Sequence, residues 1–119
     1  MNISDNIHKL KENLKREFRK EALKEAIHIA CILQKRFGAK EIILYGSLAK
    51  EKYFDTASDI DLVVKGLGDK YLKAYGYCLR LSKFNLDIRA YEDMPLNFRK
   101  KVDKYGRYLY RCKEMRRKK

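Results

Sequence analysis

Residues 58–64, Ser-Asp-Ile-Asp-Leu-Val-Val, restrict the possible fold more than any other stretch of the chain. Successive side chains of a strand point to opposite faces, so Ile60, Leu62 and Val64 form one apolar face while Asp59 and Asp61 share the other. The aliphatic face demands a core beneath it. The carboxylate face demands positive charge, and a hard divalent cation supplies it while leaving coordination positions for water and phosphate oxygens. Two more runs have strand character: Ile42–Tyr45, which ends at Gly46, and residues 84–90, where Leu86, Ile88 and Ala90 alternate with Asp87 and Arg89.

Helical periodicity fills the intervals between these runs. Ile7, Leu10, Leu14 and Phe18, followed by Leu23, Ala26, Ile27, Ala30, Cys31 and Leu33, predict one long helix or two in tandem from a Ser4 N-cap to Phe37, with Gly38 as C-cap. A short helix is expected from Ser47 to Tyr53. The strand from Ile60 to Lys65 closes at Gly66 and Gly68, and Asp69 is placed to cap a helix carrying Tyr71, Leu72, Tyr75, Cys78, Leu79 and Ser82 on one face. A third strand spans Phe84 to Ala90. Pro95 suits the first turn of a helix reaching Val102, and Arg107–Arg111 after Gly106 reads as an edge strand. The expected fold class is α/β (α+β), a small mixed β-sheet packed by helices.

A chain of 119 residues has room for one hydrophobic core, so residues 1–119 are expected to form a single domain, with a helical segment at 1–36 and a basic tail at 112–119. The net charge of +13 is concentrated at the C-terminal end, where residues 99–119 hold eleven basic and two acidic side chains. Such a tail attracts polyanions or acidic partners without choosing among them, so direct nucleic-acid binding is one reading of it. Three cysteines without ligand spacing and without a leader segment point to reduced thiols and a cytoplasmic setting; Cys31 and Cys78 read as buried hydrophobes. No run of about 18 apolar residues occurs, which excludes a membrane-spanning helix. His8 and His28 stand apart from any second ligand and read as structural.

The candidate chemistry lies where the runs end. Gly46 and Ser47 form a strand-to-helix turn, where backbone N–H groups attract phosphate oxygens and the Ser47 hydroxyl can cap the helix or bond a phosphate. After eleven intervening residues come Asp59 and Asp61, and Asp87 is the lone acid in an otherwise apolar strand, with Arg89 near enough to pair with it. These features together point to metal-assisted phosphoryl transfer. Asp59 and Asp61 would bind the Mg2+ carrying a nucleoside triphosphate, and a second Mg2+ would be shared with Asp87, which would take the proton of an acceptor hydroxyl or stabilise it as an alkoxide.

This arrangement of Gly46-Ser47, Asp59-Ile60-Asp61 and Asp87 resembles the minimal nucleotidyltransferases (MNT) of the DNA polymerase beta superfamily. The closing segment EDMPLNFRKKVDKYGRYLYR resembles that family's ending, so the likeness runs from about Ala22 to Arg111. It implies a polymerase-beta-like palm fold, ATP as substrate, two Mg2+ ions, and nucleotide contacts from Gly46, Ser47 and Lys50. Family members often continue as G-S-R-A-R-G. Here Leu48-Ala49-Lys50-Glu51 follows, in which Lys50 keeps a basic group. The resemblance further implies the antitoxin of a HEPN/MNT toxin–antitoxin pair, which attaches AMP to a tyrosine of a HEPN-domain ribonuclease toxin and forms a hetero-oligomer with it. A small-molecule nucleotidyltransferase of the antibiotic-modifying kind, and a non-catalytic module that docks on a toxin or binds nucleic acid, stand as alternatives.

Overall fold

The computed structural model describes residues 3–50 and 58–112. One helix, α1, runs unbroken from Ile3 to Phe37. At about 1.5 Å per residue its 35 residues nearly match the longest dimension of the molecule, 56 Å. Its two halves differ: residues 3–17 are exposed throughout, whereas Ala22, Ala26, Ile29, Ala30, Leu33 and Phe37 are buried. The expected stripe therefore needs correction in its second half. Ile27 and Cys31 face solvent, and Ile29 and Phe37 carry the packing instead.

Four strands form one mixed sheet: β1 (Glu41–Tyr45), β2 (Ile60–Lys65), β3 (Leu86–Ala90) and β4 (Arg107–Arg111), in the order β3-β2-β1-β4. β1 pairs antiparallel with β2 and with β4, while β2 and β3 run parallel. A parallel pair needs a crossover. Here it is α2 (Tyr71–Leu81), entered through a 3-10 turn at Gly68–Lys70. Asp69 lies within that turn and makes no side-chain cap; Lys70 occupies the N-cap position of α2. Leu72 and Leu79 are exposed, and the packed face of α2 consists of Ala74 and Cys78 flanked by Tyr71, Tyr75 and Tyr77. The Tyr71 and Tyr75 hydroxyls donate to the Ile88 and Leu86 carbonyls, which ties α2 to β3.

β3 begins two residues later than the alternation suggests. Phe84 turns away from the sheet, its N–H bonded to Ser82 Oγ at 3.1 Å and its ring 5.3 Å from Phe18 of α1. After β3, a 3-10 turn at Tyr91–Asp93 leads to α3 (Leu96–Tyr105), with Pro95 as its N-cap residue rather than in its first turn. Gly106 lets the chain return tightly into β4: a Cβ there would meet Ile43 Cγ2 at 2.4 Å and the Val102 carbonyl at 2.6 Å.

The sheet has two unlike faces. On one, Ile42, Leu44, Ile60, Leu62, Val64, Leu86 and Ile88 pack against α1 and α2 in the main core. On the other, Ile43 and Val63 meet Met94 and Val102 in a smaller cluster involving α3. At the far end of the sheet, buried Glu41 pairs with Lys65 at 3.0 Å and Arg111 at 3.3 Å, joining β1 to both neighbours. No described helix is long and apolar enough to cross a membrane.

Candidate active site

The smaller-core face turns polar toward the N-terminal ends of β2 and β3. Asp61 is the register partner of Asp87 across the parallel pair and of Tyr45 across the antiparallel one. Adjacent strands lie about 4.8 Å apart, so Asp61 and Asp87 stand side by side on one face. Both line a cavity of about 100 Å³ together with Tyr45, Leu62, Val63, Arg89 and Phe98. The alternation read from the sequence accounts for this pair: while Leu62 and Ile88 are drawn into the main core, Asp61 and Asp87 must face the other way.

Gly46 brings the first turn onto the same spot. Its φ of +81° favours glycine, and a Cβ there would stand 2.3 Å from Asp61 Oδ2. The absent side chain therefore gives the Asp61 carboxylate its place beside the backbone. Ser47–Lys50 follow as a turn closed by the Lys50 N–H on the Gly46 carbonyl at 3.2 Å. The expected helix from Ser47 to Tyr53 is thus a turn up to Lys50, and its continuation lies outside the described residues. Leu48 and Ala49 are buried, and Arg19 Nη2 of α1 donates to the Leu48 carbonyl at 3.1 Å, fixing the turn against the body. Ser47 is half-buried beside Gly46, and Lys50 is exposed at the end of the turn.

The electrostatics of the cluster are those of carboxylates short of positive charge. Burial, then the Asp87 charge, then the Asp59 charge push the Asp61 carboxyl up from 3.8 to about 6, and Arg89 only partly opposes them. Arg89 Nε donates to Asp87 Oδ2 at 3.2 Å, the pairing anticipated from their shared face. Asp59 is exposed and precedes β2, which starts at Ile60, so strand alternation does not fix its direction. It does not line the cavity, although its charge reaches Asp61. Among the described residues no group of three or more His, Cys, Asp or Glu side chains forms a ready metal cage.

Two participants carried no signal in the sequence. Phe98 of α3 meets Tyr45 in a tilted ring pair with centroids 5.5 Å apart, and its ring centre lies 5.4 Å from the Arg89 guanidinium, so that it walls the cavity. Arg19 sits in a long basic helix among residues of the same kind, and only the tertiary contact with Leu48 distinguishes it.

The donor set suits a hard cation: carboxylate oxygens only, with the Asp61 carboxyl pushed up by burial and by the charges of Asp87 and Asp59. The family model described as "Polymerase beta, Nucleotidyltransferase" matches residues 27–115. No curated protein matches the chain.

Proposed function

The chain belongs to the polymerase beta nucleotidyltransferase family, and from that premise we propose that it is a Mg2+-dependent enzyme transferring AMP from ATP to a tyrosine of a partner HEPN-domain ribonuclease toxin, which it thereby silences as an antitoxin. Nucleotidyl transfer is the chemistry of the family. The choice of ATP, the tyrosine acceptor and the toxin partner are the proposal's own.

One observation carries it: Asp61 and Asp87 stand in register on neighbouring parallel strands, and the missing side chain of Gly46 lets the Asp61 carboxylate sit against the turn that follows β1. Asp61 and Asp87 would hold the cation, with the Asp59 charge acting from beside β2. When bound, Mg2+ supplies charge neutralisation between these carboxylates and the triphosphate. The Gly46–Lys50 turn receives the phosphates through backbone N–H groups and the Ser47 hydroxyl, and the Lys50 ammonium lies at its exposed edge. Asp87, on the edge strand β3, is the carboxylate we assign to the acceptor hydroxyl, where it would take the proton or stabilise the alkoxide. Positioning and electrostatics make up most of phosphoryl-transfer catalysis, so a few groups on a rigid sheet suffice.

Incubating the chain with labelled ATP, Mg2+ and a HEPN partner, then weighing the partner by mass spectrometry, tests the reading. Gain of one AMP on a tyrosine is expected. An unmodified partner that is nevertheless neutralised would replace the enzyme with a docking module.

A further inference from the structure

Neither the sheet nor the carboxylate cavity uses the N-terminal half of α1. Residues 3–17 are exposed throughout, yet they continue a helix whose fully buried positions begin only at Ala22. A helix of about 15 residues is marginal in water by itself, because helical stability in proteins comes mainly from packing an apolar face. This arm has such a face. Ile3, Ile7, Leu10 and Leu14 recur at spacings of four, three and four, and they are 75%, 49%, 59% and 61% exposed. That spacing is the seam of a two-helix coiled coil, with Ile7 and Leu14 at a positions and Ile3 and Leu10 at d positions. We propose that the arm is a dimerisation surface through which two copies of this chain pair antiparallel, Ile3 of each against Leu14 of the other and Ile7 against Leu10. The inference is independent of the reaction the carboxylates perform.

Charge fixes the orientation. The next seam positions are Glu17 and Glu21, so a parallel pair in register would set each glutamate against the same residue of the second copy. Antiparallel pairing removes both clashes, because Glu17 then lies beyond Ile3 of the second copy and stays with Lys20 of its own helix at 3.5 Å. The bodies follow the same logic. Residues 3–17 hold four basic and three acidic side chains, so nearly all of the net charge of +13 lies outside the arm. A parallel pair would bring two strongly positive bodies side by side. In the antiparallel pair the bodies begin about 28 Å apart along the axis, at 1.5 Å per residue, which is several times the Debye length of about 8 Å.

The edges of the seam favour a second copy over a foreign helix. Asn6 and Asn13 stand along one edge, and Ser4 and Lys11 along the other. Antiparallel packing brings like edges together, so Asn6 of each copy meets Asn13 of the other, and Lys11 meets Ser4. A carboxamide is donor and acceptor at once and is therefore its own complement. No like charges meet, and neither edge carries the row of one sign that would select a partner of the opposite sign. The contact is isologous and closes at two copies. Its area sets its strength: two heptads of seam bury on the order of 900 Å², below the roughly 1,200 Å² at which standard interfaces begin. Association is accordingly weak, with a Kd on the order of 10–100 μM.

Sedimentation equilibrium of the full chain, from about 5 to about 500 μM so as to bracket that Kd, tests the proposal without nucleotide or metal. The mass is expected to rise with concentration from 14.2 kDa toward twice that value. Leu10→Gln changes a side chain that is exposed in the single chain, so the fold is expected to persist by circular dichroism while association weakens at least about tenfold. The double variant Asn6→Lys/Asn13→Asp sets opposite charges on the facing edges and is expected to tighten the antiparallel dimer about threefold. In a parallel pair, position 6 would instead face Lys11 with like charge, and the same variant would weaken association. A mass of 14.2 kDa at every concentration overturns the proposal. So does a dimer indifferent to Leu10→Gln, which would place the interface elsewhere, and so does weakening by the double variant, which would contradict the antiparallel seam.

Discussion

The two faces of the sheet are built from the same strands and serve opposite ends. Within β2, Ile60, Leu62 and Val64 are wholly buried against α1 and α2, while Asp61, between two of them, stands in the cavity on the other side with a carboxyl raised to about 6. The first face has a large apolar core. The second has a small core of Ile43, Val63, Met94 and Val102, and gives the rest of its area to carboxylates that repel one another. Stability is concentrated on one side and strain on the other, so substitutions on the two faces should separate cleanly in their effects.

The largest effect belongs to the polar face. Asp61→Asn keeps the shape and removes the charge, and should lower AMP transfer by at least about 10³-fold while raising the melting temperature at pH 7. If activity survives, the second face is not catalytic. The converse experiment is Leu33→Ala, in the centre of the α1 packing face and fully buried. A loss of about 2–5 kcal/mol is expected on denaturant unfolding, with the rate per folded molecule unchanged. A fall in that rate would show that the two faces are coupled.

Gly46 sits where both properties meet. Gly46→Ala combines a φ of +81° with a Cβ 2.3 Å from Asp61 Oδ2, and should cost about 1–3 kcal/mol as well as weakening nucleotide binding. The smallest effect is a pH dependence. Folding raises the Asp61 carboxyl from 3.8 to about 6, so between these values the folded chain holds more proton than the unfolded one. Stability from this group is therefore highest below pH 4, falls as pH rises through 4 to 6, and stays low above 6. In metal-free buffer, the difference in melting temperature between the native chain and Asp61→Asn should widen across that interval and then level. A flat difference would show that Asp61 is not pressed by its neighbours.

Most of this contrast is legible in the chain itself because alternation is local. The run Ile60–Lys65 and the placement of Asp87 and Arg89 on one face follow from spacing two, and the structure agrees residue by residue. Long-range partners are what spacing cannot supply. Phe84 looks like a strand residue until Phe18 draws it away, and Cys31 continues the helical periodicity yet lies exposed while Ala30 and Leu33 beside it are buried. Asp59 looks equivalent to Asp61, yet β2 begins after it, so the two carboxylates answer to different constraints. Phe98 and Arg19 become visible only when α3 and α1 are folded onto the site.

The most direct test is whether these carboxylates hold a metal–nucleotide complex. Calorimetric titration of Mg2+ with a non-hydrolysable ATP analogue should show saturable binding to the native chain and none to the Asp61→Asn/Asp87→Asn double variant. Equal affinity in the two would place the nucleotide elsewhere and contradict the site described for this face.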